Sequence, residues 1–430
     1  MTYTEALKFI ESTEKFGIKP GLDAIKRLLL KLGDPQNDLK VIHIAGTNGK
    51  GSTASYIKSI LKHEGYRVGF YTSPSLYALE ERIQINDGLI DQDNFAKVVN
   101  EVKNAVDLLV QEGYDPNTEF EIFTAMALLY FKQQAVDFVV LEVGLGGRLD
   151  ATNVIEAPLV SVITPIALDH VNILGDTLAK VAFEKGGIIK NDVPLVIHPQ
   201  MQEASEVLER LADEKSADLI VAPVDLLEVK GVTLEGTKFE LGAQSFEISM
   251  IGKHQAQNAV VALTAIETLR REHKIKVNQT SIREGLVATK WPCRLEVIAS
   301  TPKIILDGAH NPHGAKALAS ALESILPSGY KPTVVLGMLA DKDVDDVLEI
   351  MKPYLGRVVV TEPKNDRRMP ANELAEKLNA HGIQTQVELD VKTALELAIA
   401  LTESSDLLLA FGSFYLVGQI RQEVFRDYVR

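Results

Sequence analysis

The chain has 430 residues, of which 46% are hydrophobic and 24% charged, and this predicts a soluble globular protein of two or three domains. A formal net charge of −14 without a long basic run argues against a nucleic-acid partner, and no apolar run approaches the roughly 20 residues that cross a bilayer. Cys293 is the only cysteine, which excludes an internal disulfide, and the acidic start MTYTEALKFIEST does not resemble a secretory signal. We therefore expect a cytoplasmic protein without a nucleic-acid or membrane partner.

The first half of the chain predicts alternating strands and helices. The apolar segments KVIHIAG, RVGFYTS, DFVVLEVG and LVSVITP are separated by helical patterns, two of them long, near residues 94–112 and 118–134. Continuous β-branched runs between helices are typical of a parallel sheet that is covered on both faces. This half is therefore predicted to be an α/β domain with a mainly parallel sheet of the P-loop type.

The N-terminal domain is also predicted to contain a small element of a different kind. Residues 225–251 alternate polar and apolar side chains between glycines, which predicts a small antiparallel element, and two helical patterns follow. Strands resume at KIILDGAH, TVVLGML, RVVVTEP, TQVELD and DLLLAFGS, each followed by a helical pattern. We predict a second, smaller, Rossmann-like α/β domain, with the boundary near residue 295, so that the domains are 1–295 and 296–430.

The segment GTNGKGS lies between a predicted strand and a predicted helix. In this context backbone N–H groups and the helix N-terminus form a cradle for phosphate. The glycines that allow close approach are Gly46, Gly49 and Gly51. Lys50 can reach the terminal phosphates, and Ser52 or Thr53 can bind Mg²⁺. The alternative is a tight turn with an exposed lysine, which the coincidence of glycines, lysine and hydroxyls disfavours.

The segment LEVGLGGRLDATN resembles a dinucleotide fingerprint only in part. Leu149 stands where the third glycine is needed, so the pattern is weak evidence for NAD. Glu142, near the carboxyl end of its strand, could instead reach the crevice where open α/β sheets bind ligands. A charge that merely ends a strand is the alternative.

Two further segments supply candidate metal ligands. Asp169 and His170 follow a predicted strand in ALDH, and both a ligand role and a structural role stay open for the histidine. Lys185 lies in EKGGIIK. A lysine beside metal ions is repelled unless it is neutral or chemically altered.

The segment LDGAHNPHG places Asp307 and His310 after a strand, and Pro312 could open a helix. Taken singly, Asn258 reads as a polar helix residue and Arg294 as a surface cation. For Cys293, packing is favoured over a nucleophile, because nothing nearby in the sequence would lower its pKa.

Together these segments resemble one family. GTNGKGS, YTSP, EVGLGGRLDATN, ALDH, EKGGIIK, WPCRLE, LDGAHNP, LADKD and GSFY occur in the order found in the folylpolyglutamate synthase and dihydrofolate synthase family of the Mur ligase superfamily. The resemblance covers nearly the whole chain, and a glycine before the serine is normal in that family. It implies ATP-driven amide formation, in which a folate carboxylate is phosphorylated to an acyl phosphate that the amine of L-glutamate then attacks.

The resemblance also implies residue roles. The expected ATP-binding residues are Gly46, Thr47, Asn48, Gly49, Lys50, Gly51, Ser52, Asn258, Arg294 and Asp307. Two Mg²⁺ sites are expected, the first held by Ser52, Ser73 and Glu142, and the second served by His170 and Lys185, the latter often carbamylated in the family. The catalytic set is Lys50, His170, Lys185, Asp307 and His310. The substrate contacts are Arg82 and Asp150 for the pterin, and Ser413 and Tyr415 for glutamate.

Some alternatives stay open at the level of sequence. Another Mur-type ligase is disfavoured because about forty residues before Gly46 are too few for a nucleotide-sugar domain. Addition of glutamate to tetrahydrofolate alone, or also to dihydropteroate, is not decided. A P-loop ATPase that switches conformation without ligation is the rival class. We expect a monomer, with closure between the domains that excludes water from the acyl phosphate.

Overall fold

The structure is a computed structural model that describes residues 1–17, 19–273 and 275–427. The chain divides into two compact units, the first made of Met1–Asp225 with Asn258–Leu286 and the second of Leu226–Gln257 with Val287–Arg430. The predicted α/β class is confirmed in both. Within the described ranges, no helix combines the length and the apolar character needed to span a bilayer.

The first unit contains an eight-stranded sheet. Its strands are β1 (Val41–Ala45), β2 (Val68–Tyr71), β3 (Ile83–Ile85), β4 (Gly88–Leu89), β5 (Phe138–Glu142), β6 (Val160–Ile163), β7 (Leu195–Ile197) and β8 (Leu219–Val221). Their order is β4-β3-β2-β5-β1-β6-β7-β8, and pairing is parallel except at the β3 and β4 edge. All residues of β1 and β5 are buried. Because successive side chains point to opposite faces, both faces of the sheet are covered.

The sheet changes winding direction beside its central strand. From β1 the chain goes to β2, on the β5 side, whereas from β6, the other neighbour of β1, it goes to β7 on the opposite side. Open α/β sheets bind ligands outside the carboxyl ends of strands at such a switch point. The topology therefore places a crevice beside the ends of β1 and β6.

Helices surround this sheet. They are α1 (Tyr3–Glu11), α2 (Asp23–Lys31), α3 (Lys50–His63), α4 (Gln92–Gln111), α5 (Glu119–Gln133), α6 (Val171–Leu174), α7 (Leu178–Gly186) and α8 (Gln202–Glu214). Local sequence signals explain several starts: Asp91 caps α4, and Thr118 forms a capping box with Glu121 at α5. The helices α4 and α5 bury Phe95 and Phe123 in a shared core. Both long helices were predicted, and both are confirmed.

The second unit contains two sheets. A three-stranded antiparallel sheet is formed by β9 (Leu227–Thr233), β10 (Gly236–Leu241) and β11 (Gln244–Ile248), which confirms the predicted antiparallel element. The six-stranded sheet contains β12 (Glu296–Ser300), β13 (Lys303–Leu306), β14 (Thr333–Leu336), β15 (Val358–Val360), β16 (Thr385–Val387) and β17 (Leu407–Phe411). Its order is β12-β13-β17-β14-β15-β16, parallel except for the edge strand β12. The five parallel strands were predicted from the sequence, whereas β12 was not.

The remaining helices are α9 (Lys253–His273), α10 (Gln279–Ala288), α11 (Pro312–Ile325), α12 (Val344–Met351), α13 (Ala371–Ala380), α14 (Val391–Ala400) and α15 (Phe414–Asp427). Pro312 opens α11 as predicted, with Asn311 as its cap. The second unit combines Leu226–Gln257 with the C-terminal residues. The linear division after residue 295 stays a prediction.

Candidate active site

The carboxyl ends of four neighbouring parallel strands bring the first-unit candidates to one edge of the sheet. The strands β2, β5, β1 and β6 lie side by side in this order. The candidates beyond or at their ends are Ser73, Glu142, Gly46 and His170. Residues far apart in sequence thus share the edge at which the topology places the ligand crevice.

The glycine loop has a backbone that larger residues could not follow. Gly46 has φ +149° and Gly49 has φ +86°. A Cβ on Gly46 would overlap the Thr164 side chain, and one on Gly49 would overlap the carboxamide of Asn258. The loop is therefore packed tightly against Thr164, which directly follows β6, and against Asn258, both in the same unit, and this requires glycine at both positions.

The start of α3 has the features of an anion site. Gly49 is its N-cap, and a glycine has no side chain with which to cap the first turn. The N–H groups of a first helical turn have no partner within the helix, and the helix dipole favours an anion at this end. The amides of Thr47 and Asn48 are used otherwise, because both donate to the Pro165 carbonyl, at 2.9 and 3.3 Å.

Two buried hydroxyls at the same helix are suited to contact a ligand. Ser52 is 1% exposed and Thr53 is fully buried. The Oγ of Ser52 and the Oγ1 of Thr53 have no hydrogen-bond partner among the described residues. Since buried polar atoms are nearly always satisfied, these two suit a ligand that supplies the partner.

Two lysines meet at the loop. Lys50 Nζ donates to the carbonyls of Gly46 and Thr47, at 3.2 and 3.4 Å, and Lys185 Nζ donates to the same Gly46 carbonyl at 2.7 Å. Burial, together with the charge of Lys50, lowers the pKa of Lys185 to about 7, although Asp169 opposes the shift. The Lys185 amine is therefore substantially neutral near neutral pH.

The acidic candidate at this edge is buried. Glu142 is 5% exposed, and its Oε2 accepts a hydrogen bond from the Thr72 hydroxyl, next to Ser73. His170 adopts φ 51° at the N-cap of α6, and its amide donates to Asp169 Oδ1 at 2.8 Å. In the described parts of the chain, no three His, Cys, Asp or Glu side chains form a group that could bind a metal by themselves.

Arg82 and Asp150 flank an aromatic group in the first unit. Arg82 pairs with Glu119 at 3.0 Å and lies 4.5 Å from the Phe123 ring centroid, while its Nε is buried without a partner in the described structure. Asp150 accepts from the Leu145 amide at 2.8 Å and the Thr152 amide at 3.0 Å. Burial raises the pKa of the Asp150 carboxyl. Burial also raises the pKa of Tyr71. The charge of Arg82 opposes this shift, and the charge of Asp150 adds to it.

The glycine-rich segment after β5 is not a dinucleotide-binding turn. It leads into a short 3₁₀ helix, Ala151–Val154, whereas the fingerprint requires a glycine turn that opens an α-helix. Its glycines serve packing instead. A Cβ on Gly144 would overlap the Phe120 ring, and one on Gly147 would approach the backbone of Glu184 and Lys185.

The second unit gathers its candidates around one phenylalanine. Arg294 Cζ lies 4.4 Å from the Phe414 ring centroid, and the His310 ring packs edge-on against the same ring at 5.4 Å. Asp307 is 7% exposed and accepts from the Leu295 and Ala309 amides, at 2.9 and 2.8 Å. Burial raises its pKa, and the Arg294 charge opposes this shift.

The remaining candidates of this unit lie at the start of α15. Ser413 is buried, and its Oγ accepts from the Leu416 amide at 3.1 Å, so it caps the helix. Tyr415 follows in the first turn. Cys293 is buried, and burial raises its pKa, which confirms the packing role expected of it.

Several residues in these places were missed at the level of sequence. Thr72 and Phe414 are adjacent to Ser73 and Ser413, which were identified, but nothing in the sequence distinguishes them. Thr164 contacts Gly46 only because β1 and β6 are neighbours, and sequence separation hides that contact.

Two family descriptions match the chain. The Mur ligase middle domain matches residues 44–266, and the Mur ligase glutamate ligase domain matches residues 293–414. Together they define the class of protein as a Mur-type ligase.

Individual proteins narrow the class. The chain is 36% identical over 429 residues to a Bacillus subtilis dihydrofolate synthase/folylpolyglutamate synthase, covering 98% of this chain and 99% of that protein. It is similar to the Mycobacterium tuberculosis folylpolyglutamate synthase structure complexed with ADP, with a TM-score of 0.89 and 32% identity, over 99% of this chain and 98% of that one. An Escherichia coli structure in complex with DHPP and ADP gives a TM-score of 0.86 and 30% identity, over 99% and 98% of the two chains. The chain belongs to the dihydrofolate synthase/folylpolyglutamate synthase family.

Proposed function

We propose that this protein is an ATP-dependent ligase that joins L-glutamate to the carboxylate of a folate. The observation that carries the proposal is the glycine loop at the switch point of the sheet, where the N-terminus of α3 at Gly49, Lys50 and two buried hydroxyls without a partner among the described residues meet. Family membership and the ADP-bound relatives support the same reading. A carboxylate is a poor acyl donor, so phosphorylation by ATP must precede attack by an amine.

The phosphates of ATP are assigned to this loop. The first-turn N–H groups of α3 and the ammonium of Lys50 would meet them. Lys50 now donates to loop carbonyls at 3.2 and 3.4 Å, which are long bonds that a phosphate oxygen could replace. Asn258 lies against Gly49 and would contact the nucleotide from α9 of the same unit.

The residues present fit magnesium. Mg²⁺ prefers oxygen ligands and is usually bound by one or two carboxylates, waters and substrate phosphates rather than by a complete protein cage. Ser52 Oγ, Ser73 and the buried Glu142 are the proposed holders of the first ion, and His170 and Lys185 serve the second. A bound magnesium would neutralise charge on the phosphates during transfer.

Carbamylation of Lys185 forms part of the proposal. Addition of CO₂ to a neutral amine forms an N–C bond and releases one proton, which yields a carbamate anion. A pKa of about 7 leaves the amine neutral often enough for this addition. The product would remove the repulsion with Lys50 and supply an oxygen ligand.

The remaining proposed contacts concern the pterin, the nucleotide and glutamate. Arg82, whose Nε lacks a partner among the described residues, and Asp150 would recognise the pterin. In the second unit, Arg294, Asp307 and His310 would engage the nucleotide. Ser413 and Tyr415, at the start of α15, would lie near glutamate.

Product analysis tests the ligase proposal. The purified protein is incubated with Mg-ATP, L-glutamate and either dihydropteroate or tetrahydrofolate, and products are separated by mass. We expect one added glutamate per ADP on at least one acceptor, and ADP release that depends on both folate and glutamate. Steady ATP hydrolysis without either would instead indicate a conformational-switch ATPase, and the pattern of acceptors decides between one activity and two.

We also propose that the protein is cytoplasmic and monomeric. The single cysteine is compatible with a reducing compartment. Light scattering coupled to size exclusion tests the monomer, and a molar mass of twice the 47.2 kDa chain would contradict it.

A further inference from the structure

The turn that carries Arg294 has an uncommon backbone. Cys293 and Leu295, on either side of it, have φ 58° and 48°. Residues with a side chain seldom adopt this left-handed region, and they keep it only where the surrounding structure holds them there. Arg294 therefore lies between two residues with strained backbone conformations.

Two carboxylates hold the strained residues. Glu296 Oε2 accepts from the Cys293 amide at 3.0 Å, and Asp307 Oδ2 accepts from the Leu295 amide at 2.9 Å. The Gly308 amide donates to the Cys293 carbonyl at 2.8 Å. Three hydrogen bonds therefore fix the backbone on both sides of Arg294.

Glu296 is itself fixed by Arg421. The guanidinium donates Nε–H to both carboxylate oxygens, at 3.1 and 2.9 Å, and Nη2–H to Oε1 at 3.0 Å. The two side chains are only 17% and 21% exposed, and Arg421 also lies 4.5 Å from the Phe425 ring centroid. A two-pronged pair of this kind restricts orientation as well as distance.

One face of α15 reaches both parts of the turn. Phe414, which opens the helix, stacks on the Arg294 guanidinium. Arg421 lies about two helical turns later and therefore on the same face. The helix that contacts the arginine side chain thus also anchors the carboxylate that holds its backbone.

We propose that the Glu296–Arg421 ion pair positions Arg294 for the nucleotide, with Arg421 acting as a positioning residue that does not touch ATP. The inference rests on the proposed role of Arg294 as a nucleotide contact. A guanidinium that is already fixed loses less conformational freedom when it binds, so loosening the turn should weaken nucleotide binding.

The test compares Arg421→Gln and Arg421→Lys with the wild type. The dissociation constant for ATP is measured by calorimetry, and KM is measured separately for ATP and glutamate. We expect Arg421→Gln to raise both the dissociation constant and the KM for ATP by about tenfold, with the KM for glutamate within about twofold. Arg421→Lys, which keeps the charge but not the two-pronged geometry, should recover part of the loss.

A matched pair in the same unit serves as control. Arg368 donates to Glu362 at 2.8 Å, and Glu362 also accepts a backbone amide, that of Ala371, at 3.0 Å. Arg368→Gln thus removes another arginine whose partner carboxylate accepts a backbone amide, although this arginine reaches its partner through one Nε–H hydrogen bond, and should leave ATP affinity unchanged. Thermal unfolding of each variant ensures that titrations use folded protein.

Arg294→Ala separates failure of the inference from failure of the assignment. If Arg421 acts through Arg294, the double variant Arg294→Ala/Arg421→Gln should bind ATP no more weakly than Arg294→Ala alone. Wild-type affinity in Arg421→Gln, or additive losses in the double variant, would overturn the inference. If Arg294→Ala also bound ATP normally, the nucleotide role of Arg294 would fall with it. Should Arg421→Gln not fold, Glu296→Gln and Arg421→Lys must still show the selective loss of ATP affinity.

Discussion

The glycine loop of the first unit and the Arg294 turn of the second differ in how their polar groups are partnered. The loop brings two lysines to one carbonyl, two buried hydroxyls beside it have no partners among the described residues, and the N-cap of α3 is a glycine. In the turn, Glu296 and Asp307 accept hydrogen bonds from the amides of Cys293 and Leu295. Glu296 is also paired with Arg421. The strained residues of the turn are held by side chains of their own unit, whereas the two hydroxyls at the loop have no such partner among the described residues.

This difference shows where binding energy is expected to arise. A phosphate at the loop would satisfy groups that the protein leaves unsatisfied, so substitutions there should affect ligand binding more than folding. Substitutions in the turn should affect the geometry of one arginine through its supports. Four substitutions test this contrast.

Lys50→Ala should reduce the kcat/KM for ligation by more than about 100-fold, which corresponds to about 3 kcal/mol of transition-state stabilisation. Within the described part of the chain its side chain donates to loop carbonyls alone, so circular dichroism and the melting temperature should change little. Lys62→Ala, at the other end of α3 and paired with Asp87, is the control. Near-normal turnover in Lys50→Ala would refute the assignment.

Gly49→Ala should weaken ATP binding by about tenfold or more, because the new Cβ would displace Asn258 from the loop. Gly65 has a similar backbone, φ +98° against +86°, but open space where a Cβ would stand. Gly65→Ala therefore reproduces the backbone strain, about 1 kcal/mol, without the overlap. Chemical denaturation and ATP titration are measured for both, and equal ATP affinities would contradict the packing argument.

Lys185→Met should change how stability depends on pH. In the folded protein the amine loses its proton near pH 7, whereas in the unfolded chain it does so near 10.5. Between these values the unfolded state binds more protons, so the wild type gains stability with rising pH, and this contribution is absent from the variant. Denaturation is measured in CO₂-free buffer from pH 7 to about 10. The free energy of unfolding of Lys185→Met minus that of the wild type should become smaller as the pH rises. A constant difference would show that the pKa of Lys185 is not lowered.

Cys293→Ala should have the smallest effect on activity. The thiol is buried and its pKa is raised, so it offers no ligand group, and the substitution should cost about 1 kcal/mol of stability. We expect the kcat/KM to stay within about twofold of the wild type. A larger loss would assign the thiol a role that packing does not explain.

Much of this protein could be predicted from its sequence, because local patterns carry the information. β-Branched runs predicted the parallel strands, alternation predicted the antiparallel sheet of β9 to β11, and Pro312 predicted the start of α11. The family was predicted from motifs and is confirmed by the matches. The edge strand β12 was not predicted, since its five residues follow a turn whose conformation depends on Asp307 and Arg421.

The α/β class, a glycine loop between a strand and a helix, and the family follow from the residues alone, because hydrophobic period, glycine spacing and residue type are local properties. Only the tertiary structure decided which groups meet: that Lys185 reaches the Gly46 carbonyl, that Thr164 requires glycine at position 46, and that Arg421 holds Glu296. The physical reason is that strand order and helix packing bring distant segments together, and burial there sets charge states, such as that of Lys185, that no local pattern encodes.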